Sequence, residues 1–148
     1  METIALVTGG FDPLHVGHIN YFNSAATLGD RLVVGLNSDE WLTRKKGAAF
    51  MPIAERKDII RALRVVDAVL FFEDSDDTAC HAIERALRMW SGARVIFANG
   101  GDRGESNTPE FEKYNSNPRV NFAFNVGGGK MQSSSDLLAR WENRHAGK

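Results

Sequence analysis

With 148 residues, 43% of them hydrophobic and 25% charged, and a formal net charge of −1, the chain has the size and balance of one compact globular domain with room for a core. Its basic residues are scattered or gathered only at Arg44-Lys45-Lys46, which gives no face-wide positive stripe and argues against nucleic acid as a partner. The single cysteine, Cys80, cannot form an internal disulfide, the N-terminus lacks a basic stretch followed by a long apolar one, and no run approaches a membrane span, so a cytoplasmic protein without membrane contact is expected.

In chain order, apolar β-rich runs at Ile4–Thr8, Leu32–Asn37, Ala68–Phe72, Val95–Ala98 and Val120–Phe124 predict strands. Between them, Ile19, Phe22 and Ala26 give Val16–Leu28 a helical stripe, and Ile59, Ile60 and Leu63 do the same for Ile53–Arg64, with Pro52 at its start. The stripe Ala79, Ile83, Ala86, Leu87 and Trp90 predicts a helix over Asp77–Trp90, ended by Ser91-Gly92, whereas Leu42–Met51 reads as a mobile loop. Strand and helix alternate throughout, so an α/β fold is expected: one domain over residues 1–148, a doubly wound parallel sheet of about five strands with helices on both faces. In such sheets ligands sit beyond the carboxyl ends of the strands, which directs attention to the residues following each one.

The first strand runs into Thr8-Gly9-Gly10-Phe11-Asp12-Pro13-Leu14-His15-Val16-Gly17-His18. Gly9 and Gly10 let backbone approach a ligand, and the helix starting near His15 or Val16 aims unpaired N–H groups and its positive dipole end at the same place, which suits an anion. His15 and His18, three apart on the first turn, face one side and can each donate to a phosphate oxygen, with Gly17 leaving that side open. A metal site would need a further ligand at recognisable spacing, and none stands out beyond the nearby Asp12. The last strand leads into Gly127–Gln132 and then Ser133, Ser134, Ser135 and Asp136. Ser133 with Asp136 reads as a helix cap, but three hydroxyls after three glycines exceed what a cap needs and give a second anion site. Two helix N-termini aimed at one crevice can hold a triphosphate.

The block Gly9–His18 resembles the signature of the cytidylyltransferase-like nucleotidyltransferases. Asn37-Ser38-Asp39, Arg44–Gly47, Pro52, Glu55-Arg56, Ala62-Leu63, Val66-Asp67 and Phe72–Asp74 follow in an order similar to the adenylyltransferase domain of ADP-heptose synthases, and more loosely to glycerol-3-phosphate cytidylyltransferases, so that the resemblance covers residues 3 to 140. It implies a Rossmann-like nucleotidyltransferase fold and transfer of a nucleotidyl group from a nucleoside triphosphate to a phosphorylated small molecule, with pyrophosphate released. ATP and a sugar 1-phosphate are the expected substrates. CTP with glycerol 3-phosphate or an amino-alcohol phosphate is the alternative, and a nucleotide-binding regulator without turnover is the alternative of another class.

The resemblance also implies site roles. His15, His18 and Lys46 would be catalytic, with Lys45 the competing choice for the lysine; Mg²⁺ would accompany the triphosphate; a homodimer is expected. Gly9, Gly10, Phe11, Asn99, Gly101, Asp102, Ser133, Ser134 and Ser135 would bind nucleotide. Asp12, Asp39 and Arg56 are expected at the substrate, although Asp12 can equally cap the helix and Arg56 sits at a helix start where its charge opposes the dipole. One departure stands out: Met131-Gln132 precedes the serines and Gly128 stands where relatives carry an arginine, so no arginine clamp carries over.

Overall fold

The computed structural model describes residues 1–101, 108–128 and 134–146. Five strands, β1 (Thr3–Gly9), β2 (Arg31–Leu36), β3 (Ala68–Phe71), β4 (Arg94–Ala98) and β5 (Val120–Ala123), form one parallel sheet of order β3-β2-β1-β4-β5. Ala5 stands beside Leu32 on β2 and Ile96 on β4, which fixes the register at the centre. The centre is buried on both sides, as the unbroken apolar run Ile4–Val7 requires.

Alternation along β1 splits the core in two. Ile4 and Leu6 face the side covered by α4 (Cys80–Met89), where Ala82, Ile83 and Ala86 pack with Val95 and Phe97. Ala5 and Val7 face the side covered by α1 (Val16–Ala26) and α3 (Ile53–Arg61), among Phe22, Ala25 and Ile60. The expected α/β sheet with helices on both faces is therefore what the chain forms.

The expected loop over Leu42–Met51 is the point corrected most. Residues Asp39–Lys46 form a helix, α2. Ser38 caps it by accepting from Trp41 N, Asp39 and Glu40 sit in the first turn, Arg44, Lys45 and Lys46 complement the dipole in the last, and Gly47 closes it at φ 91°. Pro109–Tyr114 adds a short α5, and Ser134–Ala146 forms α6. Helix α4 starts three residues later than expected, because Asp76 takes the N–H and hydroxyl of Thr78 and Asp77 adopts a left-handed φ of 62°.

Candidate active site

β1 and β4 are neighbours whose chains depart in opposite directions, β1 leading to β2 on one side and β4 to β5 on the other. A cleft of about 660 Å³ opens at their carboxyl ends. It straddles the sheet edge. One lobe lies toward α1 and α6 and includes His15, Gly17, His18, Tyr21 and Ser134; the other, toward α4, includes Phe97, Thr78, Ala79 and Glu110.

The two histidines are locked by the helix they begin. His15 is the N-cap of α1, and its Nδ1 accepts from Gly17 N at 3.1 Å; His18 Nδ1 accepts from His15 N at 3.2 Å. Nδ1 being an acceptor in both, the proton of each neutral ring sits on Nε2. The rings stack with centroids 3.7 Å apart, and Phe11 meets His18 edge to face at 5.0 Å. Phe11 itself takes a left-handed φ of 51°, which a non-glycine residue holds only when its surroundings impose it. Gly9 makes that possible, since a Cβ there would lie 2.9 Å from the Phe11 ring, and at Gly10 a Cβ would lie 2.7 Å from Leu42. Both glycines thus serve close packing as well as forming cleft wall.

Helix α6 presents the second N-terminus. Ser134 and Ser135 line the cleft, and Ser134 Oγ donates to Pro13 O at 2.8 Å, tying the start of α6 to the loop that delivers the histidines. Tyr21 on α1 donates from its hydroxyl to Ala98 O and packs against Gly100 and Gly127, where an added Cβ would stand 3.3 Å from its ring and 3.2 Å from its Cα. The sequence-predicted Asn99 and Gly101 also line the cleft. Ser133 and Asp102 lie outside the described residues, as do residues 129–132 of the loop that departs from relatives.

Of the two candidate lysines, Lys46 lines the cleft and its Nζ donates to Asp12 O at 3.2 Å, whereas Lys45 lies over the Trp41 ring with Nζ 5.5 Å from the centroid. Lys46 reaches the site from the last turn of a capped helix and not from the expected loop.

Asp12 and Arg56 are buried and the Asp39 carboxylate is half-exposed, and none of the three is among the cleft's lining residues. The buried Asp12 carboxylate accepts from Phe50 N at 2.6 Å and Met51 N at 2.8 Å, pinning the connection between α2 and α3. Arg56, 1% exposed, donates to Met51 O, Gly10 O and Asn37 O and pairs with the Asp39 carboxylate at 2.6 Å. In this structure the side chains of Asp12 and Arg56 bond to backbone groups and, for Arg56, to Asp39, contacts that brace the loops around the cleft.

Sequence reasoning missed Glu110. It is 2% exposed at the cleft, and its Oε2 accepts from Ala79 N at 2.8 Å, answering the N-terminus of α4 with a carboxylate. Thr108-Pro109-Glu110 carries a helix-start signal, with proline at the first helical position, but nothing in the sequence says that the glutamate turns inward. Trp41, Asp77 and Thr78 likewise join the wall unannounced.

A parallel sheet of this order, with a histidine-capped helix and a second helix start meeting at its central crevice, is a Rossmann-like fold with its cleft at the topological switch point. The chain belongs to the cytidylyltransferase-like family, whose profile matches residues 6–116. It is 39% identical over 114 residues to the bifunctional protein HldE of Nitrosococcus oceani and 48% identical over 103 residues to that of Geotalea uraniireducens, in each case over 68% of this chain. These matches cover 24% and 19% of the relatives' own lengths, so the chain spans a quarter or less of each. Among solved structures, the lipopolysaccharide core biosynthesis protein of Thermoplasma volcanium is similar at TM-score 0.64 and 26% identity, covering 84% of this chain and 95% of that one. A putative nicotinate-nucleotide adenylyltransferase from Vibrio parahaemolyticus shares the fold at TM-score 0.60 and 16% identity, over 97% of this chain and 89% of that one. Among the described residues no helix is long and apolar enough to cross a membrane.

Proposed function

We propose that the chain transfers an adenylyl group from ATP to a sugar 1-phosphate. The observation that carries the reading is the convergence of two helix N-termini on one cleft, α1 with His15 and His18 and α6 with Ser134 and Ser135, held together by the Ser134–Pro13 hydrogen bond. The similarity to HldE proteins, and to ADP-heptose synthases in the order of motifs from Asn37 to Asp74, supports ATP and a sugar phosphate over CTP and glycerol 3-phosphate.

In the proposed reaction an acceptor phosphate oxygen attacks the α-phosphorus in line, the bond to the bridging oxygen breaks, and pyrophosphate leaves with the electron pair. No protein nucleophile takes part, so positioning and charge neutralisation carry the catalysis. His15 and His18 donate from Nε2 to oxygens whose charge grows in the transition state, and Lys46 neutralises phosphate from the end of α2. Gly9, Gly10 and Phe11 shape the wall against the phosphates. Mg²⁺, when carried in on the triphosphate, supplies charge neutralisation, and the hydroxyls of Thr8, Ser134 and Ser135 are the hard oxygen donors suited to a cation held mainly by phosphate. The protein is proposed to act in the cytoplasm as a homodimer, a state that light scattering on the purified chain reads directly.

Pyrophosphate release from ATP, CTP, GTP and UTP, each against heptose 1-phosphate, glycerol 3-phosphate and phosphocholine, tests the assignment. The expected result is fastest release with ATP and the sugar phosphate. Preference for CTP with glycerol 3-phosphate would make the protein a cytidylyltransferase, and nucleotide binding with no release from any pair would make it a regulator.

A further inference from the structure

The α4-facing lobe of the cleft holds chemistry that phosphate binding does not use. Asn99 continues the β4 ladder, donating from its N to Ala123 O at 2.8 Å, so its side chain emerges on the same side as Phe97, toward α4. It is 7% exposed and lines the cleft, and among the described residues its Nδ2 has no acceptor. A buried donor left without a partner is costly, which marks a place where an acceptor is meant to arrive. The same lobe carries the buried carboxylate of Glu110, and Thr78 adds a hydroxyl. With Ala79 N at the start of α4 already bonded to the Glu110 carboxylate, that helix end is less available to a phosphate.

A waiting N–H donor and a carboxylate acceptor together match groups that both accept and donate without bearing charge. Hydroxyl groups do so. We infer that the α4-facing lobe seats the sugar ring of the acceptor, with Asn99 Nδ2 donating to one hydroxyl and the Glu110 carboxylate accepting from another. The inference rests on the transfer reading above and deepens it: it assigns Asn99 to the acceptor where the sequence points to nucleotide, and it makes Asn99 and Glu110 determinants of specificity for a polyhydroxylated phosphate over an amino-alcohol phosphate. The phosphate of the acceptor would then face the α1 lobe, where His15, His18 and Lys46 lie.

Titration calorimetry on the complex with Mg²⁺ and α,β-methylene ATP, using D-mannose 1-phosphate, glycerol 3-phosphate and phosphocholine as probes, reads the lobe without requiring turnover. Wild type should bind mannose 1-phosphate at least tenfold more tightly than phosphocholine. Asn99→Leu, close in shape to asparagine, and Glu110→Gln, which keeps an oxygen for Ala79 N, should each weaken mannose 1-phosphate tenfold or more while the affinity for the nucleotide analogue stays within twofold. Thermal melts confirm that each variant is folded, and either variant alone suffices. The inference is overturned if the variants weaken the nucleotide analogue and leave mannose 1-phosphate unchanged, if phosphocholine binds as tightly as mannose 1-phosphate, or if no hydroxylated phosphate binds the wild-type complex. Should the binding pattern hold while no pyrophosphate is released, the lobe assignment stands and the transfer reading alone fails.

Discussion

Arg56→Ala separates a brace from a substrate ligand. The Arg56 side chain is buried and serves three backbone carbonyls, Met51 O at 2.9 Å, Gly10 O at 3.0 Å and Asn37 O at 2.8 Å, besides the Asp39 carboxylate. Truncation removes a partner from each. At about 1 kcal/mol for each hydrogen bond lost to a carbonyl, and less for Asp39, whose half-exposed carboxylate regains water, the expected destabilisation is about 3–4 kcal/mol. For a domain of this size, each kcal/mol lowers Tm by about 2–4 °C, so a drop of about 10 °C is expected in a circular dichroism melt. Arg56→Lys keeps the charge but not the planar fork and should recover less than half of the loss. Acceptor KM, measured well below the lowered Tm, should change little. A Tm within about 2 °C of wild type, combined with a tenfold rise in acceptor KM, would refute the brace and restore Arg56 to the substrate.

Other perturbations address the cleft itself. His18→Ala should lower pyrophosphate release by about 10²–10³ while the fold survives, since it removes one transition-state donor and one capping contact; activity within threefold of wild type would contradict the role given to it. Lys46→Ala should reduce kcat more than nucleotide affinity measured by calorimetry, and Lys45→Ala, whose ammonium lies over Trp41, should be the milder change. Burial pushes the Cys80 thiol up from its ordinary value, so at pH 7.5 the folded protein should react with Ellman's reagent far more slowly than the same protein in urea; equal rates would show the N-terminal turn of α4 to be open.

Much of this was legible because period and punctuation are local. The apolar runs, the glycines after β1 and the histidine spacing located the sheet and the cleft, with His15 and His18 on its wall, without tertiary information. Helix α2 was equally legible and was missed: Ser38, the early acids, the late bases and Gly47 spell a capped helix, but Leu42 is its one buried residue and leaves almost no apolar stripe to see. Arg56 and Glu110 belong to a different case. In sequence each sits among charged neighbours as a surface residue would, and only the meeting of loops far apart in the chain turns it inward. Asn99 was visible as a strand-end residue, yet which lobe it serves depends on the side of β4 from which it projects.

The buried charge behind the cleft suits the proposed chemistry, which works by positioning. In the proposed reaction, which uses no protein nucleophile, the rate would depend on where the histidine donors stand relative to the α-phosphorus, and the loop that positions them, residues 9–15, contains a left-handed Phe11 that local preference alone would not hold. The loop is therefore fixed from several directions: Arg56 holds Gly10 O, Asp12 is held by the Phe50 and Met51 amides, Lys46 donates to Asp12 O, and Ser134 donates to Pro13 O. Four of these hydrogen bonds bind α2, α3 and the turn between them to this loop, and the fifth binds α6. The desolvation of one guanidinium is offset by four partners, and a loop that fixes two donors is held rigid enough to use them.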